Sequence, residues 1–208
     1  MSFLSCFFYI VLRTPFDDEA MESVANIGLP DDYPYEYEEW ITLKNGRRVL
    51  LRPIKPTDRR LLVELLKRLS PQTIYRRFLS NVRQLPEEWL DRFTLLNYKS
   101  DFALVAATQE SGEERIIAVC RYHYNIHTDN TEIAFVVQDD WQGLGLGTKI
   151  AGNVVNIARK NDIHQFEGML DPTNEAVTKI FNHLGCSYKL TLKGGFFFIL
   201  IDLDPCEQ

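Results

Sequence analysis

Residues 138–149 read Gln-Asp-Asp-Trp-Gln-Gly-Leu-Gly-Leu-Gly-Thr-Lys. The apolar run Ile133-Ala134-Phe135-Val136-Val137 leads into them, and an amphipathic stretch from Ile150 to Arg159 leads out. Strand, glycine-rich turn and helix in that order build an anion cradle. Glycine lets the backbone approach a ligand closely, and the first amides of a helix have no acceptor within it. Those N–H groups, together with the positive end of the helix dipole, attract a phosphate or pyrophosphate.

Spacing narrows the choice of anion. A P-loop requires Gly-x-x-x-x-Gly-Lys-Ser/Thr. Here Gly147 is followed by Thr148-Lys149, the reverse order, and Gln142 stands where the first glycine should be. A dinucleotide fingerprint requires a third glycine three positions after the second, in the first βα unit. Thr148 occupies that position, and the loop follows several strands.

The hexamer Gln142-Gly143-Leu144-Gly145-Leu146-Gly147 fits a third pattern, Gln/Arg-x-x-Gly-x-Gly/Ala. It resembles the acyl-CoA pyrophosphate loop of the GNAT acyltransferases, and the resemblance runs from about Ile41 to Leu203. Asn174, ahead of Ala176 and Phe181-x-x-Leu184-Gly185, is similar to that family's second cofactor helix. The segments Ser70-Pro71-Gln72-Thr73-Ile74-Tyr75-Arg76-Arg77-Phe78, Phe102–Ala106 and Glu132–Phe135 look most like the GNAT domain of bacterial protein-lysine acetyltransferases that modify acyl-CoA synthetases.

The resemblance implies an acetyl-CoA-dependent N-acetyltransferase without a metal. Backbone amides of Gln142, Gly143, Leu144, Gly145, Leu146, Gly147 and Thr148 would hold the pyrophosphate. Phe135, Val136 and Val137 would pair with the pantetheine arm as an added strand does, and Asn174 would reach the cofactor with its amide. Glu132 takes the place of the general base, acting through a water. A backbone N–H near Val137 would serve the developing oxyanion. Phe181 stands where many relatives carry a tyrosine as general acid. A phenyl ring donates no proton, so a non-catalytic acyl-CoA sensor or interaction module stays open beside an enzyme acting on a protein lysine or a small amine.

The rest of the chain is consistent with one α/β domain, a mixed sheet of six or seven strands with helices on both faces. Hydrophobic residues make up 45% and charged residues 25% of the 208, ordinary globular values. The net charge is −6. Residues 14–40 hold nine acidic side chains and no basic one, so the acidity belongs to that segment. Residues 1–40 read as a poorly ordered acidic tail and residues 41–208 as the catalytic domain. Nucleic acid is not an expected partner. The apolar stretch Met1–Leu12 is too short to span a membrane and lacks the positive n-region of a signal peptide.

Cys6, Cys120, Cys186 and Cys206 show no metal-binding or disulfide spacing, which suits reduced thiols in the cytoplasm. His123 and His127 are four apart on a strand, the wrong geometry for shared ligation. Arg76-Arg77 reads as a solvated or ion-paired helix face.

Overall fold

The computed structural model describes residues 29–126 and 128–204. The apolar stretch Met1–Leu12, Cys6, Cys206 and His127 lie outside the described residues.

Asn45-Gly46 turns the chain between β1 (Glu39–Thr42) and β2 (Arg48–Pro53). Gly46 takes φ +83°, a value that disfavours any residue with a Cβ. Three helices follow: α1 (Arg59–Arg68), α2 (Pro71–Phe78) and α3 (Glu87–Thr94). Ser70 caps α2 by accepting the Thr73 N–H, and Pro71 supplies the preset φ of a first helical residue. Strands β3 (Asp101–Glu110), β4 (Glu113–Asn125) and β5 (Asn130–Val137) form a meander. The glycine loop then opens α4 (Leu146–Lys160). After it come β6 (Gln165–Leu170), α5 (Glu175–His183), β7 (Ser187–Lys193) and β8 (Phe196–Asp202).

The strands form one sheet in the order β1-β2-β3-β4-β5-β6-β8-β7. Eight strands replace the expected six or seven, because both the β1–β2 and the β7–β8 hairpins join the sheet. Neighbours are antiparallel except β5 and β6.

Alternation along the strands creates two cores. Leu104, Cys120, Tyr122, Phe166 and Ile201 face α4, which contributes Leu146, Ile150, Val154 and Ala158. Phe181 of α5 joins them. Ala103, Val105 and Val136 face the other way, against Leu61, Leu62, Leu65 and Leu66 of α1 and Leu90 of α3. Tyr33, upstream of the domain boundary expected near residue 41, is buried in the α4-side core, and its hydroxyl bonds Glu38 and the Pro53 carbonyl.

One ion pair lies inside the fold. Arg52 is 1% exposed and grips the Asp58 carboxylate through two nitrogens at 2.7 and 2.8 Å. Asp58 also accepts the Lys55 N–H at 2.8 Å. Asp58 precedes α1 but makes no side-chain capping bond to it, because its oxygens are taken by the guanidinium and the Lys55 N–H. Among the described residues no helix is long and apolar enough to cross a membrane.

Candidate active site

The parallel pair β5–β6 is where the sheet opens. Glu132 registers with Glu167, and no further register pair follows. Downstream of it, Ile133–Val137 and Gly168–Leu170 line opposite walls of a cleft with about 1400 Å³ of empty space, part of it open to solvent. The glycine loop closes one end through Gln142, Gly143, Gly145, Gly147 and Thr148. Asn174, Val177 and Ile180 of the α5 segment form another side, and Thr73, Arg76 and Arg77 reach in from α2.

The loop has the conformation its glycines permit. Gly143 and Gly145 take φ +72° and +87°, and Gly145 is the N-cap of α4. The first helical bond runs from Lys149 N–H to the Gly145 carbonyl, so the amides ahead of it have no acceptor in the helix. A Cβ on Gly147 would stand 3.2 Å from Ile180 Cδ1. The cradle is buttressed from the β1–β2 hairpin, where Lys44 N–H donates to the Leu144 carbonyl at 3.2 Å and the Arg47 guanidinium lies over the Trp141 ring. Leu146 is fully buried, and Leu144 packs against the core. Neither side chain lines the cleft, which leaves these two residues their backbone groups to offer.

The approach to the loop is tied to α2. Asp139 accepts from the Ser70 N–H at 2.8 Å, the Ser70 hydroxyl at 2.7 Å and the Thr73 hydroxyl at 2.7 Å. Partial burial acts to raise this carboxyl, but those donors outweigh it and hold it below the usual carboxylate range. Gln142 donates its amide to the Val137 carbonyl at 2.9 Å. Sequence reading did not reveal the Asp139 anchor, since its partners lie more than sixty positions away.

Glu132 does not line the cleft wall with Phe135 and Val137. It stands at the closed end of the split, on the α1–α3 face with Val136. Burial pushes its carboxyl above the ordinary range and Glu167 adds to this, while His123, Arg92 and Arg121 pull it back. Arg76-Arg77, expected on a solvated or ion-paired helix face, are directed into the cleft instead. Both line the cleft, and Arg77 also walls an apolar pocket beneath α1–α3 with Arg121. The α2 residues Ile74 and Phe78 turn that side of the helix inward, carrying Arg77 with them. Burial lowers the Arg77 guanidinium to about 10, and burial followed by Arg77 itself lowers Arg121 to about 10. Arg76 Nε is buried without a hydrogen-bond partner.

Phe181 is fully buried with its ring edge toward Phe135 at 6.5 Å between centroids. The Tyr188 hydroxyl accepts from Asn182 at 3.2 Å. Cys120 is buried and its thiol is pushed up by desolvation. Among the described residues no group of His, Cys, Asp and Glu could hold a metal.

The family model described as "Acetyltransferase (GNAT) domain" matches residues 48–187, which hold every cleft-lining residue except Ile199 and Ile201 of β8. The chain belongs to the GNAT acetyltransferases. Acetyltransferase PA5475 of Pseudomonas aeruginosa is 32% identical over 151 residues, covering 72% of this chain and 81% of that protein. Acetyltransferase Pat of Mycolicibacterium smegmatis is 30% identical over 146 residues, which is 70% of this chain but 43% of Pat. The chain thus spans less than half of Pat. Among solved structures, the GNAT domain of S. lividans PAT superposes with a TM-score of 0.73 at 26% identity, covering 82% of this chain and 99% of that domain. GNAT acetyltransferases as a family use acetyl-CoA, and the cleft is suited to such a donor. It offers a positive-φ glycine cradle for phosphates beside an open strand edge and an apolar wall.

Proposed function

We propose that this acetyltransferase modifies the ε-amine of a protein lysine by direct transfer in a ternary complex, in the cytoplasm, with an acyl-CoA synthetase as the kind of protein it recognises. The observation that carries this reading is the split at Glu132–Glu167, which puts a carboxylate at the closed end of a cleft whose other end is an anion cradle. The similarity to Pat and to the PAT domain supports the choice of acceptor.

The residues divide the work as follows. Amides of residues 142–148 hold the pyrophosphate, residues 135–137 present ladder groups to the pantetheine arm, and Asn174 contributes its side-chain amide. Bound there, acetyl-CoA supplies an activated acyl carbon and a thiolate leaving group. Glu132 removes a proton from the acceptor ammonium, directly or through one water, and so frees the lone pair that attacks. Its raised carboxyl sits closer to neutrality, where a base is most effective. Arg77, Arg92 and Arg121 place positive charge around the site, which favours the neutral form of an approaching amine.

Incubation with radiolabelled acetyl-CoA and a purified acyl-CoA synthetase tests the reading. Label on a synthetase lysine, located by mass spectrometry, is the expected result. Tight acetyl-CoA binding without transfer to any amine would replace it with a sensor role.

A further inference from the structure

On the sheet face that carries α1–α3, four titratable side chains stand in one line across four strands. Asp101 on β3 registers with His123 on β4, His123 with Glu132 on β5, and Glu132 with Glu167 on β6. Directly opposed antiparallel residues hold their Cβ atoms about 4.5–5.5 Å apart, so Asp101, His123 and Glu132 are within reach of their neighbours in this line or of one shared water. His123 Nδ1 is hydrogen bonded to Asp101 Oδ1. His123 Nε2, the other ring nitrogen, is buried and has no hydrogen-bond partner.

That asymmetry has a chemical meaning. A carboxylate on Nδ1 selects the tautomer with its proton there, which leaves Nε2 as a bare lone pair. A buried lone pair without a donor is costly to keep, and the titratable group across the ladder from this ring on β5 is Glu132. The outer end of the line is wetter. The His123 and Asp101 side chains are 24% and 23% exposed. The charges around the line are Arg121 on β4, Arg77 on α2, Arg92 on α3 and Glu167 on β6.

We propose that His123 and Asp101 form a proton relay that empties Glu132 after each turnover. The relay rests on the reading of Glu132 as the base. Glu132 holds the proton taken from the acceptor amine and passes it to His123 Nε2, directly or across one water. The carboxylate is regenerated and the ring becomes an imidazolium, held by the Asp101 carboxylate. The imidazolium gives its Nδ1 proton to the Asp101 carboxylate, which releases it to bulk water at the exposed side. The neutral ring then holds its proton on Nε2, and exchange with water at the partly exposed ring returns the proton to Nδ1, where Asp101 holds it. Proton number and charge balance, and no oxidant or co-reactant is needed. His123 and Asp101 are positioning residues, since the acceptor meets Glu132.

Two measurements on the full chain test this. Histidine ¹⁵N NMR reads the neutral tautomer of His123 without any acceptor; a proton on Nδ1 and a bare Nε2 are expected, and a protonated Nε2 overturns the relay. Turnover with acetyl-CoA and an acyl-CoA synthetase is then compared for Glu132→Gln, His123→Gln and His123→Ala. His123→Gln is expected to lower kcat about ten- to a hundredfold at unchanged KM for acetyl-CoA, with an altered pH–rate profile, and added imidazole should restore rate to His123→Ala. Loss of activity in Glu132→Gln with a normal rate and profile in His123→Gln removes the relay and leaves the base in place. A uniform loss in both His123 variants without imidazole rescue makes His123 structural. Full activity in Glu132→Gln removes base and relay together.

Discussion

Glu132 and Glu167 face each other across the sheet at the register pair that joins β5 to β6. The pair sits at the hinge of the cleft. Two carboxylates opposed in a partly buried ladder disfavour each other's charge, and both are held above the ordinary glutamate range, by burial first in each case. The fold thereby places a carboxyl of raised proton affinity at the point where the strands part, and the same juxtaposition costs stability when both are ionised.

Replacing Glu132 by Gln should therefore separate activity from stability. Loss of the base should lower kcat about a hundredfold or more. A group whose folded-state pKa is raised contributes stability at low pH that is lost as pH rises through that value. At neutral pH the wild-type carboxylate is thus a liability. The variant should melt a few degrees higher, about 2–4 °C per kcal/mol for a chain of this size. Calorimetry at pH 7 and pH 4 checks it, and the gain should shrink at the lower pH.

Gly145→Ala should weaken the cradle. The residue takes φ +87°, and the added Cβ would meet the Lys44 side chain at 3.6 Å, an ordinary contact. Strain rather than a clash opposes the change, at about 1–2 kcal/mol. Relaxation of that strain turns the first amides of α4 away from the ligand. Titration calorimetry should show roughly tenfold weaker acetyl-CoA binding, with kcat at saturation little altered.

What could be read in the sequence was local. Gly143 and Gly145 mark backbone that other residues rarely adopt, Asn45-Gly46 marks a hairpin, and Ser70-Pro71 marks a helix start. Asn174 is legible only through the resemblance of its helix to the family's second cofactor helix; it is the N-cap of α5 and lines the cleft. Relationships between distant residues left no such mark. The Arg52–Asp58 pair, the Asp139 anchor on Ser70 and Thr73, and the line from Asp101 to Glu167 depend on strand register and helix docking. Periodicity places a residue on a face but does not say who stands opposite. Arg77 shows the same gap: a charged residue on a short helix reads as solvated until the helix is docked.

Asp139→Asn should loosen α2 from the glycine loop. Three donors converge on this carboxylate, and hydrogen bonds to a charged group are worth about 1.5–3 kcal/mol each at most. A net loss of about 1–3 kcal/mol is expected in urea denaturation at pH 7. Because the folded-state pKa is depressed, the wild-type advantage is present above the unfolded value, near 4, and is lost as pH falls through the folded one. The two proteins should begin to converge in stability near pH 4 and meet only below the depressed folded-state value.

Arg52→Met leaves Asp58 buried without its guanidinium. Burial works to lower the Arg52 pKa, but Asp58 and then Glu114 more than offset it and raise it. Removing one partner of such a pair costs about 3–5 kcal/mol. The double variant Arg52→Met/Asp58→Leu removes the stranded charge and should recover most of that loss. Denaturation midpoints of the two variants give the comparison.

Phe181→Tyr asks whether a missing proton donor limits the reaction. The ring is fully buried against Phe135 and does not line the cleft. A hydroxyl added there has no partner in view, and burying one without a hydrogen bond costs about 1–3 kcal/mol. A thiol titrating near pH 8.5 leaves as thiolate at neutral pH without a dedicated acid. The expected outcome is lower stability in urea and an unchanged kcat. A tenfold rise in kcat would mean that the ring edge reaches the leaving sulfur after all, and that thiolate departure had been the slow step.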